Sequence, residues 1–315
     1  MLNIPEFTES TSLIGNPDGL RERWDTDGYL FFRGLLDRAL LAWGHQRYRE
    51  ALASEGLIDV TRSEAPVWTG TEPKTRRPCD MLGGTVSSQI VADPHLNEIL
   101  ADVFDDGVVW LPIVAHRAGL PSGPITDDAD VFVQRHQDGQ FNEGMQFAVC
   151  WIPMRDVEPN HGGFAIVPGS HKRGLPHDEA HEFEILRETI GDDEWRSTDF
   201  KAGDVLMFHW MTVHSALPNE SPEIRTSIDI RAVPEHSPQP IRGSVETVEG
   251  PDISILTDTG DRVTIRVDDK TFIRDMNPRP RLPMSEIGRI AYPGAHVIAM
   301  LNENGQVNVL RRNFY

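Results

Sequence analysis

Short apolar segments separated by turn residues dominate the middle of the chain, between about residues 108 and 233. Each segment is too short for a typical helix and is bounded by Gly, Pro or polar residues, which predicts a β-strand. Seven strands are predicted, at residues 108–114, 131–136, 147–152, 163–167, 204–208, 212–214 and 226–233. One helix is predicted to interrupt them, over residues 179–190. Many short strands at this spacing indicate a sandwich, a jelly roll or a barrel.

Helical periodicity is concentrated in the first hundred residues. Asp37 is placed to cap a helix that runs to about residue 53, and Asp93 opens a second helix whose apolar residues fall on one face. Residues 29–32, Tyr-Leu-Phe-Phe, are predicted to form a buried strand. Residues 61–90 are polar and rich in Pro and Gly, which predicts a long loop of the kind that often carries function.

The C-terminal part of the chain differs from the rest in charge. Residues 241–315 carry ten basic and ten acidic residues, whereas residues 1–240 carry 20 basic and 39 acidic residues. A proline-rich stretch at residues 234–240 accompanies this change, which predicts a boundary between two domains near residue 240. Turn residues at 258–260 and 302–305 predict two hairpins. The expected fold is mainly β with flanking helices, in which the C-terminal part is a small OB-like all-β barrel.

The overall composition excludes several classes of protein. The chain has 49 acidic and 30 basic residues, a formal net charge of −19, and such a surface repels nucleic acid and anionic membranes. No apolar run approaches the roughly 18 residues of a membrane span, and the N-terminus lacks the pattern of a secretory signal. The only two cysteines are Cys79 and Cys150. These features favour a cytoplasmic protein in a reducing compartment.

The strongest chemical signal is the pair His136 and Asp138, two positions apart at the end of a predicted strand. Residues two apart in a strand point to the same side, so both side chains can reach one point. His214, on a predicted strand downstream, would complete a set of two imidazoles and one carboxylate, the facial triad of non-haem Fe(II) oxygenases. His209 is an alternative third ligand. A histidine at a strand end is more often structural than metal-binding, so this pair alone leaves the question open.

An arginine follows His214 by eleven residues. Arg225 opens the next predicted strand, and a loop of this length can return the chain to the metal site. A guanidinium there would hold a carboxylate through two hydrogen bonds. The alternative interpretation is that Arg225 is an ordinary surface residue.

These residues and the sequence around them resemble the phytanoyl-CoA dioxygenase family of Fe(II)- and 2-oxoglutarate-dependent oxygenases. The resemblance spans about residues 20–235. It is carried by residues 24–36, His136-Gln-Asp138, Trp151, residues 160–171, residues 203–209, His214 and Arg225. The resemblance implies a double-stranded β-helix, a jelly-roll core with the metal at its mouth.

The resemblance also implies a role for individual residues. His136, Asp138 and His214 would bind iron, and Arg225 would anchor the distal carboxylate of 2-oxoglutarate. Contacts to this cosubstrate are further implied for Trp151 and, more weakly, for Gln134. Some relatives carry a serine two residues after the distal histidine, where this chain has Ala216. One cosubstrate hydrogen bond is therefore not expected from that position.

The implied activity is oxidation of a small molecule with Fe(II), 2-oxoglutarate and O2, releasing succinate and CO2. Asp138 argues against halogenation, because related halogenases have a small residue in place of the carboxylate. Hydroxylation of an unactivated C–H bond in bacterial secondary metabolism is expected, with desaturation, epoxidation or ring closure as variants. The alternatives are a cupin-like metalloenzyme that does not use 2-oxoglutarate and a catalytically silent jelly-roll binding protein.

Substrate contacts are expected from side chains around the mouth of the jelly roll, namely Arg135, Phe141, Asn142, Gln146, Trp210 and Arg231. The loop of residues 61–90 is a candidate lid, which carries Trp68, Lys74, Arg76 and Arg77. The C-terminal barrel is expected to support the structure, to mediate a homo-oligomer or to contribute to the substrate pocket.

Overall fold

A computed structural model of the chain describes residues 4–74, 79, 82, 84–111, 113–123, 131–140, 145–174, 177–178, 181–274 and 281–312. It describes the backbone alone at residues 133, 134, 140, 177, 178, 181–184 and 281. The chain forms two compact units, of which the first comprises residues 1–137 and 147–235 and the second comprises residues 138–146 and 236–315. The domain boundary predicted near residue 240 would separate two parts of the chain that fold independently, and it stays a prediction.

The described part of the first unit contains four α-helices, and a side chain caps the start of the first, second and fourth. They are α1 (Pro17–Asp27), α2 (Arg38–Ser54), α3 (Gly84–Ile90) and α4 (Pro94–Phe104). The Asp37 carboxylate accepts a hydrogen bond of 2.8 Å from the Ala39 backbone N–H, and Asp93 accepts one of 3.0 Å from Leu96. Each cap satisfies an N–H group that the first turn of a helix leaves unpaired. No helix in the described part of the chain is both long and apolar enough to cross a bilayer.

The strands of the first unit form two sheets and a hairpin. They are β1 (Tyr29–Phe32), β2 (Val108–Trp110), β3 (Ala115–Gly119), β4 (Val133–His136), β5 (Ala148–Pro153), β6 (Phe164–Ile166), β7 (His177–Asp178), β8 (His181–Ile185), β9 (Val205–His209), β10 (His214–Ala216) and β11 (Arg225–Pro234). The larger sheet has the order β1-β9-β5-β11-β2, with β3 also paired to β11. The smaller sheet has the order β4-β10-β6, and β7 pairs with β8.

One face of the larger sheet packs against the helices. The even-numbered residues Ile228 and Ile230 of β11 are buried there, in one core with Cys150 of β5, Leu41 of α2 and Leu96 of α4. Fully burying each such aliphatic side chain stabilises the fold by about 1.5–3 kcal/mol. This core fixes the position of the central strands.

The other face of the larger sheet is turned toward the smaller sheet. The ring of Trp151 in β5 lies 5.3 Å from that of Phe164 in β6, and the ring of Phe208 in β9 lies 4.7 Å from that of His214 in β10. Two antiparallel sheets that face each other in this way form a jelly-roll arrangement, as the sequence predicted.

Two predictions in the first unit were wrong. Residues 181–185 form the strand β8 instead of a helix, and a short 3-10 turn follows at Arg187–Thr189. The sequence His-Glu-Phe-Glu-Ile alternates with the period of a strand, and pairing with β7 favours that conformation. The predicted loop of residues 61–90 ends in helix α3, because Val86 and Ile90 are buried and tertiary packing stabilises a helix of weak intrinsic propensity.

The second unit is a β-sheet with its own apolar core. Its strands are β12 (Ile241–Glu249), β13 (Asp252–Thr257), β14 (Arg262–Arg266), β15 (Phe272–Arg274), β16 (Arg281–Leu282), β17 (His296–Leu301) and β18 (Val307–Arg312). Their order is β14-β13-β12-β17-β18-β15-β16, and the core includes Ile253, Ile255, Val297 and Leu310. The two predicted hairpins are confirmed as β13–β14 and β17–β18.

The expected small barrel is seen as a seven-stranded sheet. Its outer strands β14 and β16 are not paired with each other among the described residues. Arg262 and Arg266 of β14 form ion pairs with Glu246 and Asp252 on the exposed side of the sheet. Charged side chains are typical of an edge strand that is protected from further pairing, which explains why the sheet stays open there.

Candidate active site

The strand pairing of the smaller sheet brings the predicted metal ligands together. His214 in β10 is the register partner of His136 in β4, and their rings lie 4.2 Å apart. Asp138 begins a 3-10 turn directly after β4. One donor atom from each of the three side chains lies within 4.8 Å of the others. The side chains of Asp138 and His214 are buried, so a cation held there would be largely shielded from water.

The imidazole of His214 is held in a defined orientation. Its Nδ1 lies 3.0 Å from the carbonyl oxygen of Thr212 and donates a hydrogen bond when that nitrogen carries the proton. Its ring stacks on Phe164 at 5.3 Å, with an angle of 19° between the planes. A histidine that donates a hydrogen bond through one nitrogen can bind a metal through the other, and such hydrogen bonds increase its basicity as a ligand.

His209, the alternative ligand, lies outside this group. Its Nδ1 accepts a hydrogen bond of 3.1 Å from the Met211 backbone N–H, and its ring stacks on Trp210 at 3.5 Å. Burial, followed by the charge of the neighbouring His171, lowers the pKa of His209 to about 3. The side chain is therefore a neutral packing element between the end of β9 and the segment that leads to His214.

Arg225 is a buried cation, and the surface interpretation of this residue was wrong. Only 8% of it is exposed, and its Nη1 donates to the carbonyl oxygens of Gly162 at 2.8 Å and Gly163 at 3.2 Å. Its Nε has no hydrogen-bond partner in the described part of the chain. Its guanidinium carbon lies 5.7 Å from the centre of the Trp151 ring, a cation–π distance.

The charge on Arg225 is only partly balanced by the protein. The pKa of Arg225 is lowered to about 10, mainly by burial; the negative charge of Asp229 acts to raise it, and the positive charge of Arg117 acts to lower it. Asp229 itself is bound by Arg117, whose Nε lies 2.7 Å from Asp229 Oδ2. Arg225 is thus protonated at neutral pH, and no carboxylate among the described residues forms an ion pair with it. Such a buried cation is suited to an anionic ligand.

Three residues that the sequence analysis did not single out for a role shape the surroundings of Arg225, and one of them, Gly119, makes room for its side chain. A Cβ at Gly119, its register partner on β3, would lie 3.0 Å from Nε of the arginine. Gly162 has a φ of +70°, and a Cβ there would lie 2.6 Å from a backbone carbonyl. Asn219 holds this region together, since its Nδ2 donates to the carbonyl oxygens of Gly119 and Glu223. Only tertiary structure assigns these roles, although Gly162 lies within the family-like stretch.

The predicted substrate contacts are spread over several environments. Arg135 and Arg231 are buried and have interaction partners. The Trp210 ring packs on His209 and lies 6.4 Å from Phe147. Gln146 donates a hydrogen bond of 2.5 Å to Glu303, within the second unit. Phe141 and Asn142 lie outside the described residues, as does the side chain of Gln134.

The predicted lid is tied to the body of the first unit at several points. The backbone N–H of Trp68 donates to the Pro222 carbonyl at 2.9 Å, and its indole donates to Thr71. The backbone N–H of Lys74 donates to Glu55. Arg76 and Arg77 lie outside the described residues.

Comparison with known proteins shows the family of this chain and its fold. The model of the phytanoyl-CoA dioxygenase (PhyH) family matches residues 24–227. A 1-deoxypentalenic acid 11-beta-hydroxylase from Streptomyces arenae is 25% identical over 252 residues, covering 74% of this chain and 86% of that protein.

Solved structures share the fold at low identity. The epimerase SnoN, in complex with Fe3+, alpha ketoglutarate and nogalamycin RO, has a TM-score of 0.51 at 20% identity, covering 70% of this chain and 84% of its own. The non-heme monooxygenase ThoJ has a TM-score of 0.51 at 19% identity, covering 79% of this chain and 84% of its own. The family model covers well over half of the chain, so the protein belongs to the phytanoyl-CoA dioxygenase family of iron- and 2-oxoglutarate-dependent oxygenases.

Proposed function

We propose that this protein hydroxylates an unactivated C–H bond of a small molecule in bacterial secondary metabolism, with Fe(II) bound by His136, Asp138 and His214. The observation that carries the proposal is the coexistence of this triad with a buried arginine for which the described part of the chain offers no carboxylate partner. The triad supports an iron site, and the arginine supports a site for a dicarboxylate cosubstrate.

The donor set suits the metal. Two imidazole nitrogens and one carboxylate oxygen within 4.8 Å of one another match the facial triad of non-haem iron enzymes, which leaves positions open for other ligands. The Thr212 carbonyl orients His214, and the rings of Phe164 and Phe208 cover it. These contacts hold the ligand nitrogen in place and keep bulk water away from it.

The cosubstrate site is supported by the face of β11 that carries Arg225. The Nε of Arg225 and the hydroxyl of Ser227 both lack partners among the described residues, and both are buried. Residues two apart in a strand lie on the same face, so the two groups can approach one carboxylate. We assign the distal carboxylate of 2-oxoglutarate to Arg225, with Trp151 packed beside it and Ser227 as an additional donor. Gln134 stays a proposed contact.

When bound, the iron and 2-oxoglutarate would supply the oxidising chemistry, in which one atom of O2 would enter the product and the other would enter succinate as CO2 is released. The chain's own part is to orient the cosubstrate through Arg225, to hold the three ligands and to exclude water.

The substrate class is proposed from the relatives and from the family. A relative named as a hydroxylase of 1-deoxypentalenic acid supports a small natural product as substrate. Arg135, Gln146, Trp210 and Arg231 stay proposed substrate contacts. A cytoplasmic location is a further proposal, which cell fractionation tests. A homo-oligomer formed through the second unit is another, which light scattering tests.

The test is an anaerobic titration with Fe(II) and 2-oxoglutarate, followed through the visible charge-transfer band that the chelated pair produces. The band should form in the wild type, disappear in His214→Ala and require far more 2-oxoglutarate in Arg225→Ala. His95→Ala, at an exposed histidine of α4, is the matched control and should behave as the wild type.

A folded wild type that binds iron but gives no band would overturn the use of 2-oxoglutarate and favour a cupin-like metalloenzyme. A folded wild type that binds no iron would favour a silent binding protein. When the band forms, release of succinate from a panel of small carboxylic and neutral natural products identifies the substrate.

A further inference from the structure

Gln137 stands between two of the three metal-ligand candidates but takes no part in the triad. It is fully buried, although Gln is rarely found away from water. Its side chain makes its contacts elsewhere, since Nε2 donates to two backbone carbonyls, those of Gly174 at 2.9 Å and of Met211. A buried amide held by two donated hydrogen bonds is a fixed part of the structure.

The second of these carbonyls belongs to the connection that leads to the third ligand. Met211 lies between β9 and β10, and the next residue, Thr212, offers the carbonyl that orients the His214 imidazole. The connection is also stiff, because Thr212 N–H donates to His209 and Val213 N–H donates to Ser170. A displacement of Met211 would therefore be passed to Thr212 and from there to His214.

The choice of side chain fits this task. A carboxamide nitrogen carries two N–H groups, so one atom can bind two carbonyls at once. The opposite atom, Oε1, is buried and has no partner among the described residues. A buried acceptor without a hydrogen bond lowers the stability of the fold, and an apolar side chain of similar length would avoid this loss. The donors of Gln137 must then contribute something that an apolar residue cannot.

We propose that Gln137 is a positioning residue of the metal centre. Its carboxamide ties the segment that carries His136 and Asp138 to the connection that orients His214, and it so sets the separation between the two parts of the triad. This inference rests on the proposed metal site. Outer contacts that orient metal ligands typically change metal affinity ten- to a hundredfold when they are removed.

The experiment compares Gln137→Met with the wild type in anaerobic titrations with Fe(II) alone and with Co(II) alone. Methionine keeps the length and flexibility of glutamine but has no donor. We expect the Fe(II) dissociation constant to rise about tenfold or more and the ligand-field bands of bound Co(II) to shift. Gln46→Leu is the matched control, because this glutamine is exposed on α2 and its side chain bonds to the neighbouring Glu50 and Arg49, so its values should equal those of the wild type.

Thermal melting of the metal-free proteins separates positioning from a merely structural role. A lower melting temperature together with unchanged Fe(II) affinity and an unchanged Co(II) spectrum would overturn the inference. Gln137→Leu is the second variant, and misfolding of both would also overturn it, because Gln137 would then be a determinant of folding. If the wild type binds no metal, or if His136→Ala binds metal as tightly as the wild type does, the proposed metal site itself is contradicted. This outcome is distinct from a failure of the inference about Gln137.

Discussion

Strand β11 has two faces that are opposite in chemistry. Its even-numbered residues, such as Ile228 and Ile230, are sealed in a core with the helices. Its odd-numbered residues Arg225, Ser227 and Asp229 are as deeply buried, but each has a polar atom without a partner in the described structure. Equal burial thus serves two purposes: one face stabilises the fold, and the other holds polar groups in readiness for ligands.

The difference between the faces follows from what each one contacts. The apolar face meets side chains that fill space at little cost in desolvation. The polar face keeps a cation and a hydroxyl out of water before any ligand supplies the missing hydrogen bonds, which costs stability. Substitutions on the apolar face should therefore change the free energy of unfolding. Substitutions on the polar face should change the affinity for 2-oxoglutarate.

The largest effect is expected on the apolar face. Ile228→Ala should lower the free energy of unfolding by about 3 kcal/mol, because it removes buried methyl groups and leaves a cavity. Chemical denaturation measures this loss. The folded variant should bind 2-oxoglutarate as the wild type does, and a change of affinity above about threefold would show that the two faces are not independent.

On the polar face, Arg225→Ala should weaken 2-oxoglutarate binding about 100-fold, or roughly 2.7 kcal/mol, since a buried carboxylate loses its cation. Stability should stay equal or rise, because the free protein no longer buries an unbalanced charge. The charge-transfer titration gives the affinity and thermal melting gives the stability. Arg289→Ala, at an exposed arginine, is the control. A large loss of stability would mean that Arg225 belongs to the structural face in energetic terms.

The apolar face also contains a pH-sensitive contact. The Nδ1 of His45 in α2 lies 3.1 Å from the hydroxyl of Thr226, and burial, followed by the charges of Arg155 and Arg49, lowers the pKa of His45 to about 4. Below the pKa of an unfolded histidine, about 6.5, the unfolded chain takes up a proton that the folded protein refuses. Stability should therefore fall by about 1–2 kcal/mol between pH 7 and pH 5 through this residue alone.

Denaturation midpoints of the wild type and of His45→Gln across this pH range measure the contribution of His45. The variant should lose less stability on acidification than the wild type does. Equal slopes for the two proteins would show that His45 exchanges protons as freely in the folded state as in the unfolded one.

The smallest effect is expected for the hydroxyl beside Arg225. Ser227→Ala should raise the 2-oxoglutarate dissociation constant about fivefold, close to the 1 kcal/mol of one hydrogen bond, and leave Fe(II) affinity unchanged. Thr226→Val removes the adjacent hydroxyl on the other face and should lower stability without this change in affinity. Identical cosubstrate affinity in Ser227→Ala and the wild type would remove Ser227 from the site.

Much of the local structure could be predicted because its causes lie close together in the chain. Asp37 and Asp93 cap helices through backbone groups two and three residues away. The two C-terminal hairpins follow from their own turn residues, Gly260 and Gly305, both of which have positive φ. Local patterns did not predict β8 and α3, because contacts with residues outside these segments decide their conformation.

The candidate site was predictable in part for a related reason. His136 and Asp138 are two residues apart, and their pairing with His214 follows from the family-like spacing of the motifs. Gln137 lies between His136 and Asp138 in the motif, but nothing near it in sequence indicates that its side chain bonds to Met211 and Gly174. The space for Arg225 comes from Gly119, more than a hundred residues away.

By itself, the sequence determined the class of this protein: a mainly β jelly roll of the phytanoyl-CoA dioxygenase family, with the residues of an iron and 2-oxoglutarate site in order along the chain. The tertiary structure alone decided that Arg225 is a buried cation with no carboxylate partner among the described residues, and that Gln137 bonds to the connection that leads to His214. The physical reason is that burial and hydrogen-bond satisfaction depend on groups brought together from distant positions, whereas turns, caps and motif spacings are properties of neighbouring residues.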